Sequence, residues 1–270
     1  MSGHGGSQLA IRRAVWAPGI ERRDDAIQYV NRIVAREIDG PGGERPRVLD
    51  LGCGVGGSLI YLAERTDAEL MGVTISRVQA ELGRRFVRER RLDSIRIEEG
   101  DLTDPEYWNA HPPASLDVVF AIESFIHVHD VLAHLPEIAS RIRPGGRLVI
   151  VDDMISRAAS RRDPSRRERR WLREFSAGWF AHGLVSVEQM IAAAAAAGLP
   201  LLEARHLTGY LELDRPRDTV ARAFISMLRW WPLRTSWFNN LLGGNALQLA
   251  LKSGLLGYYS LVFRAPTRRA

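Results

Sequence analysis

With 270 residues, 46% hydrophobic and 26% charged, the chain has the composition of a soluble globular protein. It has room for one α/β domain with a large core, or at most two small ones. A net charge of +5 and a pI near 9.8 invite a nucleic-acid partner, but the charge is modest for this length, and zinc spacing, RNP-like aromatic strands and a helix-turn-helix signature are missing.

The longest apolar stretch, residues 190–202, is too short to span a bilayer and reads as an alanine-rich helix followed by a strand. Neither nucleic acid nor integral membrane association is therefore expected. The first residues lack an apolar core behind a basic stretch, so no signal peptide is expected. The single cysteine, Cys53, precludes an internal disulfide and fits a reducing, cytoplasmic compartment. It reads as a small apolar filler inside a glycine turn.

In chain order, the glycine- and serine-rich residues 1–10 are expected to be disordered. Asp24 and Asp25 are placed to cap a helix running to about Ile38, with Ala26, Ile27, Val30, Ile33 and Val34 on one face. Residues 39–46, DGPGGERP, read as a linker.

The stretch Arg47–Ser58, RVLDLGCGVGGS, organises the rest. Val48, Leu49 and Leu51 make a strand ending at Asp50, and Gly52, Gly54, Gly56 and Gly57 lead into a helix over residues 58–65. Strand, glycine turn and helix in that order open a nucleotide-binding βα unit. Bare glycines let a ligand lie against the backbone, and the helix start offers unpaired N–H donors.

A second strand over 69–73 leads through Thr74, Ile75 and Ser76 into a helix over 77–91. A third over 94–98 runs into EEGDLTD, with Asp101 just beyond it as ligand contact or turn residue. The fourth, 116–121, exits through Ile122, Glu123 and Ser124 to His127 and His129, ahead of a helix over 131–142. Arg143–Gly146, RPGG, reads as a turn and 147–151 as the fifth strand, ending at Asp152 and Asp153.

Residues 157–173 are arginine-rich around Pro164 and read as a solvated insertion, with steering of an acidic ligand as the other reading. A helix over 187–197 and a strand over 200–207 restore the α/β rhythm. Trp230, Trp231, Trp237 and Phe238 then cluster around Pro232, as a cap-helix core, a hydrophobic pocket lining or a contact with a membrane surface. A helix over 246–252 and an alternating strand over 254–264 close the chain.

The G-x-G-x-G spacing, with Asp50 two residues before the first glycine, resembles motif I of the class I S-adenosylmethionine (SAM) methyltransferases. GVTISRVQA resembles the variant in which Thr74 and Gln79 replace the usual ribose-gripping carboxylate, found in tocopherol, sugar and cyclopropane-type members. RIRPGGRLVIVDD resembles the turn and strand that follow. The resemblance covers about residues 15–265.

The fold it implies is α/β: a Rossmann-like, doubly wound, seven-stranded sheet whose last strand is antiparallel. A single methyltransferase domain would span 1–270. An N-terminal lid segment would fill 1–45, with Trp16 closing the lid or anchoring its helix. The SAM-binding core would fill 46–210 with the 155–185 insertion, followed by a cap over 211–250 and the last strand and tail over 251–270.

The resemblance places Asp50, Gly52, Gly54, Gly56, Ser58, Thr74, Ser76, Gln79, Asp101, Leu102, Ala121 and Glu123 at the cofactor. Asp101 would accept a hydrogen bond from the adenine amino group. His127, matching a histidine of the sugar O-methyltransferases, would be the general base, with Asp152 orienting it. Trp16, Trp230 and Trp231 would meet a small, hydrophobic, natural-product-type acceptor. The resemblance requires no metal and leaves a homodimer open. O-methylation is the preferred reading; C-methylation of an aromatic or prenyl acceptor, and a cyclase that keeps the cofactor fold without transferring methyl, are the alternatives.

Overall fold

The computed structural model of the protein describes residues 13–38, 45–213 and 235–267. The elements, in chain order, are α1 (Arg23–Ile27), α2 (Tyr29–Ile38), β1 (Arg47–Leu51), α3 (Gly57–Ala63), β2 (Glu69–Thr74), α4 (Arg77–Glu89), β3 (Ile95–Glu99), α5 (Pro105–Asn109) and β4 (Leu116–Ile122). There follow α6 (Leu135–Arg141), β5 (Ile142–Ile155), α7 (Arg166–Trp179), α8 (Val187–Ala196), β6 (Leu201–His206), α9 (Ser236–Lys252) and β7 (Leu256–Arg264).

The strands form one sheet in the order β3-β2-β1-β4-β5-β7-β6. The pairs among β1 to β5 are parallel, and β7 runs antiparallel to both β5 and β6. The chain leaves β1 towards β2 and β3, then returns to lay β4 on the other side of β1. That reversal opens a crevice at the carboxyl ends of β1 and β4.

Alternate residues of the central strands feed two cores. Val48, Val118, Phe120 and Val149 pack under α2 and α3, through Val30, Ile33, Val34 and Leu59. Leu49, Val119, Ala121, Leu148 and Ile150 pack the opposite face against Leu135 and Ile138 of α6 and Met190 of α8. Burial on both faces is why these strands read as continuous apolar runs.

Four expectations change. The N-terminal helix breaks at Gln28, and Arg22 is the N-cap of α1; Asp24 and Asp25 sit in the first turn, where they complement the helix dipole instead of capping it. Residues 143–146 run inside β5 as an irregularity, the register with β4 jumping from Leu116↔Ile142 to Val118↔Arg147. β7 is buried from Leu256 to Phe263 instead of alternating, because it lies between β5 and β6 with helices on both faces. The last helix starts at Ser236, ten residues early, with the Thr235 side chain accepting from the Phe238 N–H at 3.3 Å. Trp230 and Trp231 lie outside the described residues.

The arginine-rich stretch passes through a 3₁₀ turn at Ala159–Arg161 into α7, with several of its charges used locally. Ser165 and Glu168 form a reciprocal capping box at the start of α7. Hydrogen bonds from Arg162 and from Ser165 pull the Glu168 carboxyl down to about 2. Arg170 pairs with Glu174 one turn on, and Arg167 lies over Trp171.

α7 and α9 cross at bare backbone. A Cβ on Gly178 would stand 2.3 Å from the Asn239 carbonyl oxygen and 2.9 Å from Gly243 Cα. In an open helix, Gly→Ala stabilises by about 1 kcal/mol. Here Gly178→Ala is expected to destabilise the fold, by about 1–3 kcal/mol as an overpacking change. Thermal unfolding checks the sign: a raised Tm would contradict this packing.

Candidate active site

The crevice holds a cavity of about 620 Å³, walled by the glycine turn, the exit of β2, Gly100–Thr103 and the stretch from Ile122 to His129. Every wall follows the carboxyl end of a parallel strand, β1 to β4.

The glycines of the turn serve different ends. Gly52 has φ +87°, and a Cβ there would lie 2.4 Å from Ser124 Cβ, so this glycine lets the ends of β1 and β4 touch. The Ser124 hydroxyl donates to the Leu51 carbonyl at 2.5 Å across that contact. Gly54 has φ +57° and nothing within 4 Å of a built Cβ, so its missing side chain faces open space in the cavity wall. Cys53 lines the cavity, yet burial and then Asp50 push its thiol far above the usual range, which keeps it protonated and inert.

The Thr74 hydroxyl donates to Gln79 Oε1 at 3.0 Å and accepts the Ser76 N–H at 3.3 Å, and both Thr74 and Gln79 line the cavity. Ser76 caps α4 and is not part of the wall. Asp101 Oδ1 takes the Thr103 amide at 2.8 Å and its hydroxyl at 2.7 Å, so one oxygen carries both turn bonds. Leu102 and Glu123 complete this side of the wall.

Of the other expected cofactor residues, Asp50, Ser58 and Ala121 are buried in or beneath the sheet end, and neither they nor Gly56 line the cavity. A Cβ on Gly56 would meet Ile97 Cδ1 at 2.7 Å, a packing reason for that glycine. Trp16 does not line the cavity either; its backbone N–H donates to the Tyr210 carbonyl at 2.8 Å beside the Val15–Leu211 bridge.

His127 ends a short 3₁₀ turn, Phe125–His127, and stands exposed at the cavity wall. The expectation that Asp152 orients its ring needs correction. The imidazole Nδ1 lies 3.4 Å from the Phe180 carbonyl oxygen. Asp152 is buried and accepts the Ile126 N–H at 3.0 Å and the Asp153 N–H at 2.8 Å. It therefore holds the turn that carries His127, through backbone and not through the ring. His129, also at the wall, stacks on His182 at 4.2 Å.

Two groups at the site escaped the sequence reading. Arg13 reaches Glu123 and Asp153, and Tyr258 donates its hydroxyl to Glu123 at 2.8 Å. Tyr258 reads from sequence only as an apolar strand residue, and a lone arginine near the start carries no motif.

Burial, then the neighbouring Asp153, pushes the Asp152 carboxyl up to about 8, against the pull of its two N–H donors. The folded state then keeps a proton that the unfolded chain releases near pH 4, so stability falls as pH rises from about 4 to about 8. Asp152→Asn is expected to flatten that slope. Unfolding free energies of both proteins at pH 5 and pH 8 check this; equal slopes would contradict it.

The Methyltransferase domain family model matches residues 48–146. The 27-O-demethylrifamycin SV methyltransferase of Amycolatopsis mediterranei is 30% identical over 254 residues, covering 90% of this chain and 88% of that one. In three other curated relatives, from Oryza sativa, Penicillium expansum and Streptomyces halstedii, the match spans only 28%, 37% and 38% of the relative's length. A geranyl diphosphate methyltransferase solved with GPP and sinefungin superposes with a TM-score of 0.73 at 21% identity, over 96% of this chain and 91% of that one. The [4+2]-cyclase SpnF reaches 0.70 at 20% identity, over 96% and 88%, and both structures show likeness of fold. Motif I at the switch point, the neutral Thr74–Gln79 pair and a relative aligned over nearly its whole length lead to one assignment: the chain belongs to the class I S-adenosylmethionine-dependent methyltransferases.

Proposed function

We propose that this protein transfers a methyl group from SAM to a hydroxyl of a small, hydrophobic, natural-product-type acceptor, with His127 as the general base. The observation that carries the proposal is the cavity at the β1/β4 switch point, with a glycine opening into one wall and an imidazole on the other.

The residues present fit the cofactor. Gly54 leaves room for a ligand against the backbone, where any side chain would fill the space. Thr74 and Gln79 offer neutral hydrogen-bonding groups for a ribose, and Asp101 keeps Oδ2 outside its turn bonds as an acceptor for an amino group. Bound there, SAM supplies an electrophilic methyl on a sulfonium. The protein's own task is to hold an acceptor in line, which accounts for about 7–11 kcal/mol of barrier in well-oriented systems.

His127 would take the hydroxyl proton as the new bond forms, typically worth about 10²–10⁴-fold. Asp152 supports it indirectly by holding the Ile126 amide, which fixes the 3₁₀ turn. The oxygen acceptor draws on the relative that acts on 27-O-demethylrifamycin SV, a name that places the missing methyl on oxygen. The N-terminal segment around Trp16 would act as a lid and the residues around Trp230 and Trp231 as the cap over the acceptor, within one domain.

Incubation with SAM and a panel of hydroxylated polyketides should give singly O-methylated product by mass spectrometry and NMR. His127→Ala should lower kcat by about 10²-fold while leaving SAM affinity unchanged. A nearly active His127→Ala, or methyl on carbon, would contradict the base role and the oxygen acceptor.

A further inference from the structure

A largely buried group of charges beside the cavity has no part in the chemistry proposed above. Arg13, ahead of α1, makes a bidentate pair with Asp153 at 2.8 Å to each oxygen and lies 3.3 Å from Glu123 Oε1. Its guanidinium stacks over the Tyr258 ring at 4.1 Å. Tyr258 donates to the same Glu123 oxygen at 2.8 Å. Glu123 is a non-glycine residue held at φ +53° directly in the cavity wall.

The charges do not balance. One guanidinium faces two carboxylates, those of Asp153 and Glu123. Asp153 is nearly fully buried and takes both outer nitrogens of the guanidinium, which neutralises that pair. Glu123 receives one longer contact from Arg13 and a neutral phenol, burial having raised the Tyr258 pKa well above its ordinary value. The excess negative charge therefore surfaces at Glu123, whose side chain is 23% exposed. A half-buried charge in a cavity wall is costly unless a cation meets it. With Oε1 occupied by two donors, Oε2 is the oxygen left for such a cation.

We propose that this Arg13–Asp153–Glu123–Tyr258 cluster makes the cavity prefer the sulfonium form of its cofactor over the uncharged thioether that remains after transfer. The proposal rests on the SAM reading above. S-adenosylmethionine and S-adenosylhomocysteine share the adenosine, the ammonium and the carboxylate, and differ by one methyl and one positive charge. A fixed negative wall group tells them apart where the hydrogen-bonding groups do not. Arg13 and Tyr258 are positioning residues in this scheme: they pin one oxygen of Glu123 and keep Asp153 from adding a second free charge. The cofactor would then bind more tightly than its by-product, easing release after each turnover.

Calorimetric titration of both compounds into wild type, Glu123→Gln and Tyr258→Phe reads the ratio of the two dissociation constants. Wild type is expected to favour SAM. Glu123→Gln should reduce that preference about tenfold, which corresponds to about 1.4 kcal/mol, and Tyr258→Phe should reduce it less, in the same direction. The same ratio in all three proteins would overturn the inference while leaving the SAM reading intact. Binding of neither compound by wild type would overturn both. Thermal unfolding shows whether each variant is folded, and if Glu123→Gln is not, the ratio in Tyr258→Phe decides.

Discussion

The hydroxyl of Ser124 and the carbonyl of Leu51, 2.5 Å apart, close the end of β4 onto the end of β1. The contact exists because Gly52 has no Cβ where Ser124 must pass. From it follow the direction of the glycine turn, the opening of Gly54 into the cavity and the path of the chain from Glu123 to His129. A side chain at Gly52 would have to push the two strand ends apart, and the cavity walls on either side would lose their common reference. The sheet supplies the rest, since β1 and β4 are fixed in register by Val48↔Val118 and Asp50↔Phe120.

Charge at the site is handled by burial and by backbone more than by paired side chains. Asp152 spends its two acceptors on amides of Ile126 and Asp153, so it shapes a turn. Asp153, the next residue on β5, faces the other way and takes Arg13. Two adjacent aspartates thus end in different environments because successive strand residues point to opposite faces. Arg162, just ahead of α7, pairs with Glu168, and within α7 Arg170 pairs with Glu174 and Arg167 lies over Trp171, which fits a solvated helix and does not require an anionic acceptor.

Much of the fold is legible in the sequence because it rests on local signals. Apolar runs of strand length, glycine at the first turn and Ser76 before Gln79 each announce their element with nearest-neighbour chemistry. The cavity wall is legible for the same reason: Gly52, Gly54, Thr74, Gln79, Asp101, Leu102 and Glu123 all line it within a few residues of a strand end. Three misreadings were not local. The burial of β7 depends on its being inserted between β5 and β6, the irregular stretch at 143–146 on pairing with both neighbours, and the Asp152 role on which face of β5 turns to Ile126. Arg13 is the extreme case, since its partners lie 110 and 140 residues away in sequence. Ser76, Asp50, Ser58, Gly56 and Ala121 lie at the same strand ends and turns without lining the cavity.

The central claim is that the crevice at the ends of β1 and β4 is a SAM site. Calorimetric titration of wild type and Gly54→Val with SAM tests it most directly, because a Cβ at Gly54 enters empty cavity space with no neighbouring atom within 4 Å, and a check of folding guards against the strain of a side chain at φ +57°. Wild type should bind one SAM per chain. Gly54→Val, folded by circular dichroism, should show no measurable binding. Unchanged affinity in Gly54→Val, or no binding by wild type, would contradict the account.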